Sequence, residues 1–366
     1  MTDRADGRGG LAPLPSPPPR RGGRARFFDE APMPAATIDV PAGLTPGGEA
    51  ALRAAAERMA SSKAANTLRG YATDWAAWCH AADELGLVAF PAAPAGLAAF
   101  VSWLRDARGC GPATIRRRLA GVAWVHRVAG RPLDLRHPLV AGAVAGVAEE
   151  AAPQRRAAAI VLADLRRLLG HAGAGLPGIR DRALLLLGWA GAFRRSELVA
   201  LRADVPRAGE APWSHVQLTA EGLVARLVRA KGERGRAAEI GIPRGQQPAT
   251  CPVRAVELWL REARIADGPI FRPVSARGVP EPRALSAEAV RMIVQRLAER
   301  AGVLGTALEP VSSHSLRAGF ITEAYKRGLD DEGIMAHTRH KDLRTMRRYV
   351  RRAKLVSGSA AGKVGL

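Results

Sequence analysis

Residues 313–349 read SHSLRAGFITEAYKRGLDDEGIMAHTRHKDLRTMRRY. His314 and Arg317 stand three apart, on one face of a helix. Imidazole and guanidinium side by side suit the non-bridging oxygens of a phosphate. Downstream comes Thr338-Arg339-His340-Lys341-Asp342-Leu343, and Tyr349 lies nine residues after His340. The chain holds three tyrosines. Tyr71 falls on an apolar stripe, and Tyr325 follows the His-x-x-Arg helix and reads as packing. Tyr349 is set among Arg347, Arg348, Arg351 and Arg352. Nearby positive charge favours phenolate over phenol, which makes Tyr349 a candidate nucleophile.

Working upstream, Gly191-Ala192-Phe193-Arg194-Arg195-Ser196-Glu197-Leu198 follows an apolar helix around Leu184 to Trp189. Arg194 and Glu197 share one face of a turn. A partly buried arginine needs a carboxylate to hold its fork, and its other donors can then meet a phosphate. The β signal is Gly222 to Arg229 and Ala238 to Pro243, with Lys231-Gly232-Glu233-Arg234-Gly235 between them as turn material. Helices are expected over Leu162 to Gly170, Val253 to Arg264 and Ser286 to Ala301, the last with Ser286 as N-cap. Asp330, Asp331 and Glu332 read as a helix start rather than a metal site.

The first part of the chain has a different texture. Residues 1–47 are rich in Pro, Gly and Arg, short of the apolar surface that would offset ordering entropy, and are expected to form a disordered basic arm. Residues 48–150 read as a small all-helical bundle with a basic face. Leu68, Tyr71, Trp75 and Trp78 form one apolar stripe; Leu97, Phe100, Val101 and Leu104 form another. From Thr114, the apolar positions Ile115, Leu119 and Val122 leave Arg116, Arg117 and Arg118 as candidate phosphate contacts. Residues 151–160 are expected to be a linker, 161–356 a catalytic domain and 357–366 a tail.

Composition agrees with this division. Lys and Arg number 55 against 34 for Asp and Glu, a formal charge of +21. Such an excess repels itself unless a polyanion is present, and nucleic acid is the obvious one. Cys79, Cys110 and Cys251 are far apart with no Cys-x-x-Cys, which argues against a zinc or disulfide framework and fits a reducing cytoplasm. No apolar run approaches a membrane span. No phosphate-binding Gly-Lys loop and no carboxylate set of metal spacing is present, so no cofactor and no metal is expected.

Arg194, Lys231, His314, Arg317, His340 and Tyr349, in that order, resemble the tyrosine recombinase or phage integrase family. Its catalytic domain is similar in carrying an Arg-x-x-Glu box, a hairpin lysine, a His-x-x-Arg box, a His or Trp, and a terminal tyrosine. The resemblance spans roughly residues 60–356. It departs at Arg339, where glycine is usual, and at Ser315, where an acidic residue is common. It implies a mainly α fold with a small β-sheet: a helical core-binding, SAM-like domain followed by an α+β catalytic domain. It also implies transesterification through a covalent 3′-phosphotyrosyl link, without metal or ATP. Arg194 and Arg317 would clamp the phosphate, and Glu197 would hold Arg194. His314 and His340 would donate hydrogen bonds, His314 assisting proton transfer, and Lys231 would protonate the leaving 5′-oxygen. The implied partners are double-stranded DNA, held in a clamp between the two domains, sister copies in a synaptic tetramer, and accessory DNA-bending or directionality proteins, in the cytoplasm at the nucleoid.

Three other readings remain open on sequence. A recombinase-derived DNA-binding protein without catalysis would have lost a catalytic side chain. A topoisomerase-like enzyme would nick and reseal one duplex. A metal-dependent nuclease would stop in chelator.

Overall fold

The computed structural model describes residues 45–61, 65–152, 156–228 and 237–353. It separates into two units, Met1–Pro153 and Gln154–Leu366. The expected arm up to residue 44, the tail 357–366 and Lys231 lie outside the described residues.

In unit 1 the described elements are helices α1 (Pro46–Ser61), α2 (Ala65–Glu84), α3 (Pro94–Asp106), α4 (Pro112–Val128) and α5 (Pro138–Glu149). Helices α3, α4 and α5 each begin with proline, whose fixed φ and missing N–H suit the first helical position. The two apolar stripes face each other, with Trp78 edge-on to Phe100 at 5.1 Å between ring centres. Tyr71 lies 5.3 Å from Trp124, so this ring is spent on packing. Ile115, Leu119 and Val122 of α4 are buried in the same core. Helices α2 and α4 approach closely at Gly121, where a Cβ would come within 2.7 Å of the Cβ of Asp74.

Unit 2 starts with the segment 156–160, expected as the end of a linker. From Arg156 onward it is bonded into the unit: Arg156 N–H donates to Leu308 O (2.8 Å) and Ile160 N–H to Ser315 O (3.0 Å). Ile160 is fully buried, and its carbonyl accepts from the Trp189 indole at 2.9 Å. A Cβ on Gly319 would lie 1.7 Å from that same carbonyl, so only glycine permits the approach.

The core of unit 2 surrounds α7 (Gly175–Ala190), flanked by α6 (Leu162–Gly170), α9 (Pro252–Glu262) and α10 (Ala287–Arg300). Ser286 caps α10, its hydroxyl accepting from Ala289 N–H at 3.0 Å. Strands β1 (His215–Leu218), β2 (Gly222–Leu227) and β3 (Ala238–Pro243) form one antiparallel sheet in that order. Leu223 faces Ile242 and Ala225 faces Ile240 in register, which places one apolar face on the core. The Leu227–Ala238 pair opens the connection that contains Lys231. Asp181 is buried between Arg180 (Nη2 at 2.7 Å) and Arg296 (Nη2 at 2.6 Å). Burial drives its pKa above the ordinary carboxylate value, while the two guanidinium groups oppose the rise.

Three further described helices of the unit are α11 (Ser315–Lys326), α12 (Asp331–Thr338) and α13 (Leu343–Ala353). Asp330 caps α12, its carboxylate accepting from Gly333 N–H at 2.6 Å. The expected helix start at 330–332 is therefore a cap by geometry. No described helix is long and apolar enough to cross a membrane.

Candidate active site

Helix α7 stops at Gly191, and the next residue, Ala192, adopts a left-handed backbone with φ of 44°. Phe193 then folds back into the core, and Arg194 caps the short helix α8 (Arg195–Leu198). Glu197 lies on the third position of α8. One of its oxygens accepts from the Arg194 backbone N–H at 2.9 Å, and the other pairs with the Arg194 guanidinium. The expected Arg-Glu pairing is thus both a helix cap and a side-chain clamp.

The left-handed turn aims the Ala192 carbonyl into the site. Arg317, two residues into α11, donates to it from Nη1 at 2.6 Å. The Arg317 side chain is almost wholly buried, and burial first, then the charges of Arg194 and Arg339, push its pKa down to about 9. Ionised Tyr349 would oppose that fall, a sign that the phenol lies within electrostatic reach of this guanidinium. His314 stands at the exposed start of α11, with its backbone N–H on Ser312 Oγ at 3.2 Å.

His340 follows the end of α12. Thr338 Oγ1 lies 2.6 Å from Ile334 O and 2.7 Å from His340 Nδ1, and so ties the imidazole to the end of α12. Arg317 Nη2 lies 3.2 Å from Nδ1 and 3.3 Å from Nε2 of the same ring. Burial, followed by the repulsion of Arg317, Arg194 and Arg339, lowers the His340 pKa to about 4. Free of ligand, this ring is neutral at physiological pH.

Helix α13 carries Tyr349. Met346 anchors it in a small cluster with Ile321, Ala324 and Ile334, and Tyr349 and Tyr325 pack at the edge of that cluster. The Tyr349 ring is half-buried, 6.4 Å from the His340 ring between centres. Arg347, one of the flanking arginines, is engaged with Asp331 at 2.6 Å. Arg194 pairs with Glu197 and Arg317 meets His340; Arg339 joins the two pairs, donating to Glu197 and to the Ala192 carbonyl that also accepts from Arg317, and the Tyr349 ring lies beside His340.

Two members of the site were given no role from the sequence: Thr338, which contacts His340, and Arg339, noted only where glycine is usual, which donates to Glu197. Arg339 is the left-handed terminus of α12 at φ 58°, ψ 43°. That conformation is why glycine is the common residue in the resembling family. His337 also turns inward, bonding Ala190 O at 2.7 Å and stacking on Phe320. In unit 1, the arginine trio divides. Arg117 Nη1 pairs with Asp74, itself fully buried, at 2.5 Å; Arg118 is half-buried and Arg116 exposed.

A mainly helical unit with one small sheet thus gathers buried guanidinium groups, an imidazole and a half-buried phenol, groups whose chemistry suits an anion such as a phosphate. Residues 161–355 match the phage integrase family profile. An integrase/recombinase XerD homologue of Selenomonas ruminantium is 31% identical over 316 residues, covering 85% of this chain and 88% of the relative. A tyrosine recombinase XerC of Rhodospirillum centenum is 30% identical over 306 residues, covering 80% and 78%. The chain belongs to the phage integrase family of tyrosine recombinases. A lambda integrase dimer bound to a COC′ core site superposes with a TM-score of 0.52 at 15% identity, covering 82% of this chain and 76% of that one. That likeness concerns the fold.

Proposed function

We propose that this protein is a site-specific DNA recombinase that cuts and rejoins strands through Tyr349. The observation that supports the reading is the chain of contacts from Arg194 through Glu197, Arg339 and the Ala192 carbonyl to Arg317 and His340, with the Tyr349 ring beside His340. The Tyr349 oxygen attacks the scissile phosphorus and forms a 3′-phosphotyrosyl ester. The P–O5′ bond breaks, and the 5′-oxygen leaves as a hydroxyl after taking a proton. A 5′-hydroxyl from a partner strand later reverses the step. The phosphodiester energy is kept in the ester, so neither ATP nor a metal enters the scheme.

The roles follow from charge. Negative charge grows on the non-bridging oxygens, and preorganised cations stabilise it. Arg194 and Arg317 take this part, with Glu197 holding Arg194. His314 and His340 add hydrogen bonds, and His314 helps move the phenol proton. A phosphate anion near His340 offsets the cationic repulsion, and its protonated Nε2 then donates. Lys231 supplies the proton to the leaving oxygen. In unit 1 the face of α4 with Arg116, Arg117 and Arg118 contacts DNA phosphates, Arg117 being steadied by Asp74. The working form is a tetramer on two duplexes, joined by accessory DNA-bending or directionality proteins, acting on a mobile element in the cytoplasm at the nucleoid.

The test is capture from a pool of random-sequence nicked duplexes in excess chelator. The protein is expected to form a detergent-resistant DNA adduct, and Tyr349→Phe to form none while still retarding duplex in a gel. Loss of adducts in chelator would favour a metal nuclease. Relaxation of a supercoiled plasmid with no strand exchange between two captured duplexes would favour a topoisomerase.

A further inference from the structure

Arg339 occupies a backbone position where any side chain but glycine carries a cost. A left-handed φ is strained for any residue that carries a Cβ. The side chain is also 4% exposed, so a cation has been taken out of water at this point. What it meets there is specific. Its Nη2 donates to Glu197 Oε2 at 3.0 Å and to Ala192 O at 3.2 Å. Its Nη1 donates to His337 O at 2.9 Å and to Gly191 O at 3.2 Å. The guanidinium lies over the Phe193 ring, 5.3 Å from its centre.

These contacts tie together the two groups that set the catalytic arginines. Glu197 is the carboxylate that clamps Arg194, and Ala192 O is the acceptor of Arg317. Ala192 is itself strained, and Arg339 is the second cation on its carbonyl. A fork spanning carboxylate and carbonyl fixes their separation, and hence the separation of Arg194 and Arg317, as a single point charge would not.

We propose that Arg339 is a positioning residue for strand cleavage: a buried third guanidinium that sets the spacing of Arg194 and Arg317 through Glu197 and the Ala192 carbonyl. This rests on the recombinase reading above. The side chain is too buried to reach DNA, so its effect falls on the rate of the chemical step and not on binding. A misplacement near 1 Å costs on the order of 10²-fold in rate.

The experiment compares the full-length protein with Arg339→Gly, Arg339→Lys and Glu197→Gln, singly, and with the Arg339→Gly/Glu197→Gln pair, on a captured nicked duplex. The readouts are the single-turnover rate of adduct formation at saturating DNA, the dissociation constant and the thermal midpoint. Arg339→Gly suits the backbone, so it folds; its rate is expected to fall about 10²-fold with affinity within about twofold. Arg339→Lys keeps the charge without the fork and is expected to recover less than a tenth of the wild-type rate. In the Glu197→Gln background the added loss from Arg339→Gly is expected to shrink several-fold, because the two act through one contact. A rate for Arg339→Gly within twofold of wild type overturns the proposal. So does full recovery by lysine, or a loss of affinity and melting that matches the loss of rate. Absence of adducts with the wild-type protein itself overturns the recombinase reading and this inference with it.

Discussion

Replacing Glu197 by glutamine changes one oxygen to an amide and should destabilise the catalytic unit. The carboxylate is 9% exposed and accepts from the Arg194 backbone, the Arg194 guanidinium and Arg339. Glutamine keeps one acceptor oxygen and turns N–H groups toward a donor. Two charge-assisted bonds are lost, each worth about 1.5–3 kcal/mol. The sum agrees with about 3–5 kcal/mol for breaking a buried ion pair by removing one partner. In a unit of this size each kcal/mol lowers the melting temperature by roughly 2–4 °C, giving a fall of about 6–20 °C. Burial raises the Glu197 pKa, but Arg339, the Arg194 N–H and the Arg194 charge outweigh it, and the carboxyl titrates below its ordinary value. The unfolded chain therefore binds the proton more readily, and the stabilisation is complete above the ordinary carboxylate range. It disappears as pH falls through the folded value. Melting of wild type and Glu197→Gln, followed by circular dichroism, should show the full gap at pH 7 and a shrinking gap below about pH 4. Equal melting at pH 7, or a gap that widens on acidification, would refute this account of the carboxylate.

Other perturbations reach different parts of the structure. Asp181→Ala leaves the buried Arg180 uncompensated and should cost about 3–5 kcal/mol by denaturant titration, with no specific loss of cleavage beyond the folded fraction. Gly319→Ala forces the Ile160 carbonyl aside and should lower the melting temperature by several degrees, read by calorimetry. His340 should titrate near pH 4 in the DNA-free protein by NMR. Because that folded value is depressed, the His340 contribution to stability is whole above about pH 6.5 and falls away as pH drops toward 4. Arg116→Ala should weaken duplex binding about equally across sequences and reduce the salt slope by roughly one.

The candidate site was legible as an ordered set: Arg194 with Glu197, His314 with Arg317, and His340 with Tyr349 are each common pairs, and it is their succession along one chain that is rare. The helices over Leu162–Gly170 and from Ser286 follow from periodicity and a cap. Strand β1 did not stand out, because His215–Leu218 is four residues long and only half of it is buried. Arg339 read as a departure from a glycine position; its meaning needs the fold, since its four acceptors lie two residues back at His337 or more than 140 residues upstream. The same holds for Asp74, whose partner Arg117 is 43 residues distant. Thr338 shows the limit from the other side: a threonine ending a helix is ordinary until its hydroxyl is seen 2.7 Å from His340 Nδ1.

The most direct test is to digest the protein–DNA adduct and sequence the modified peptide by mass spectrometry. The account predicts one phosphodiester-linked residue, Tyr349, joined to a 3′-phosphate, with a free 5′-hydroxyl on the other strand end. A nucleotide on Tyr71, on Tyr325 or on any other side chain, or a link through the 5′-phosphate, would contradict it.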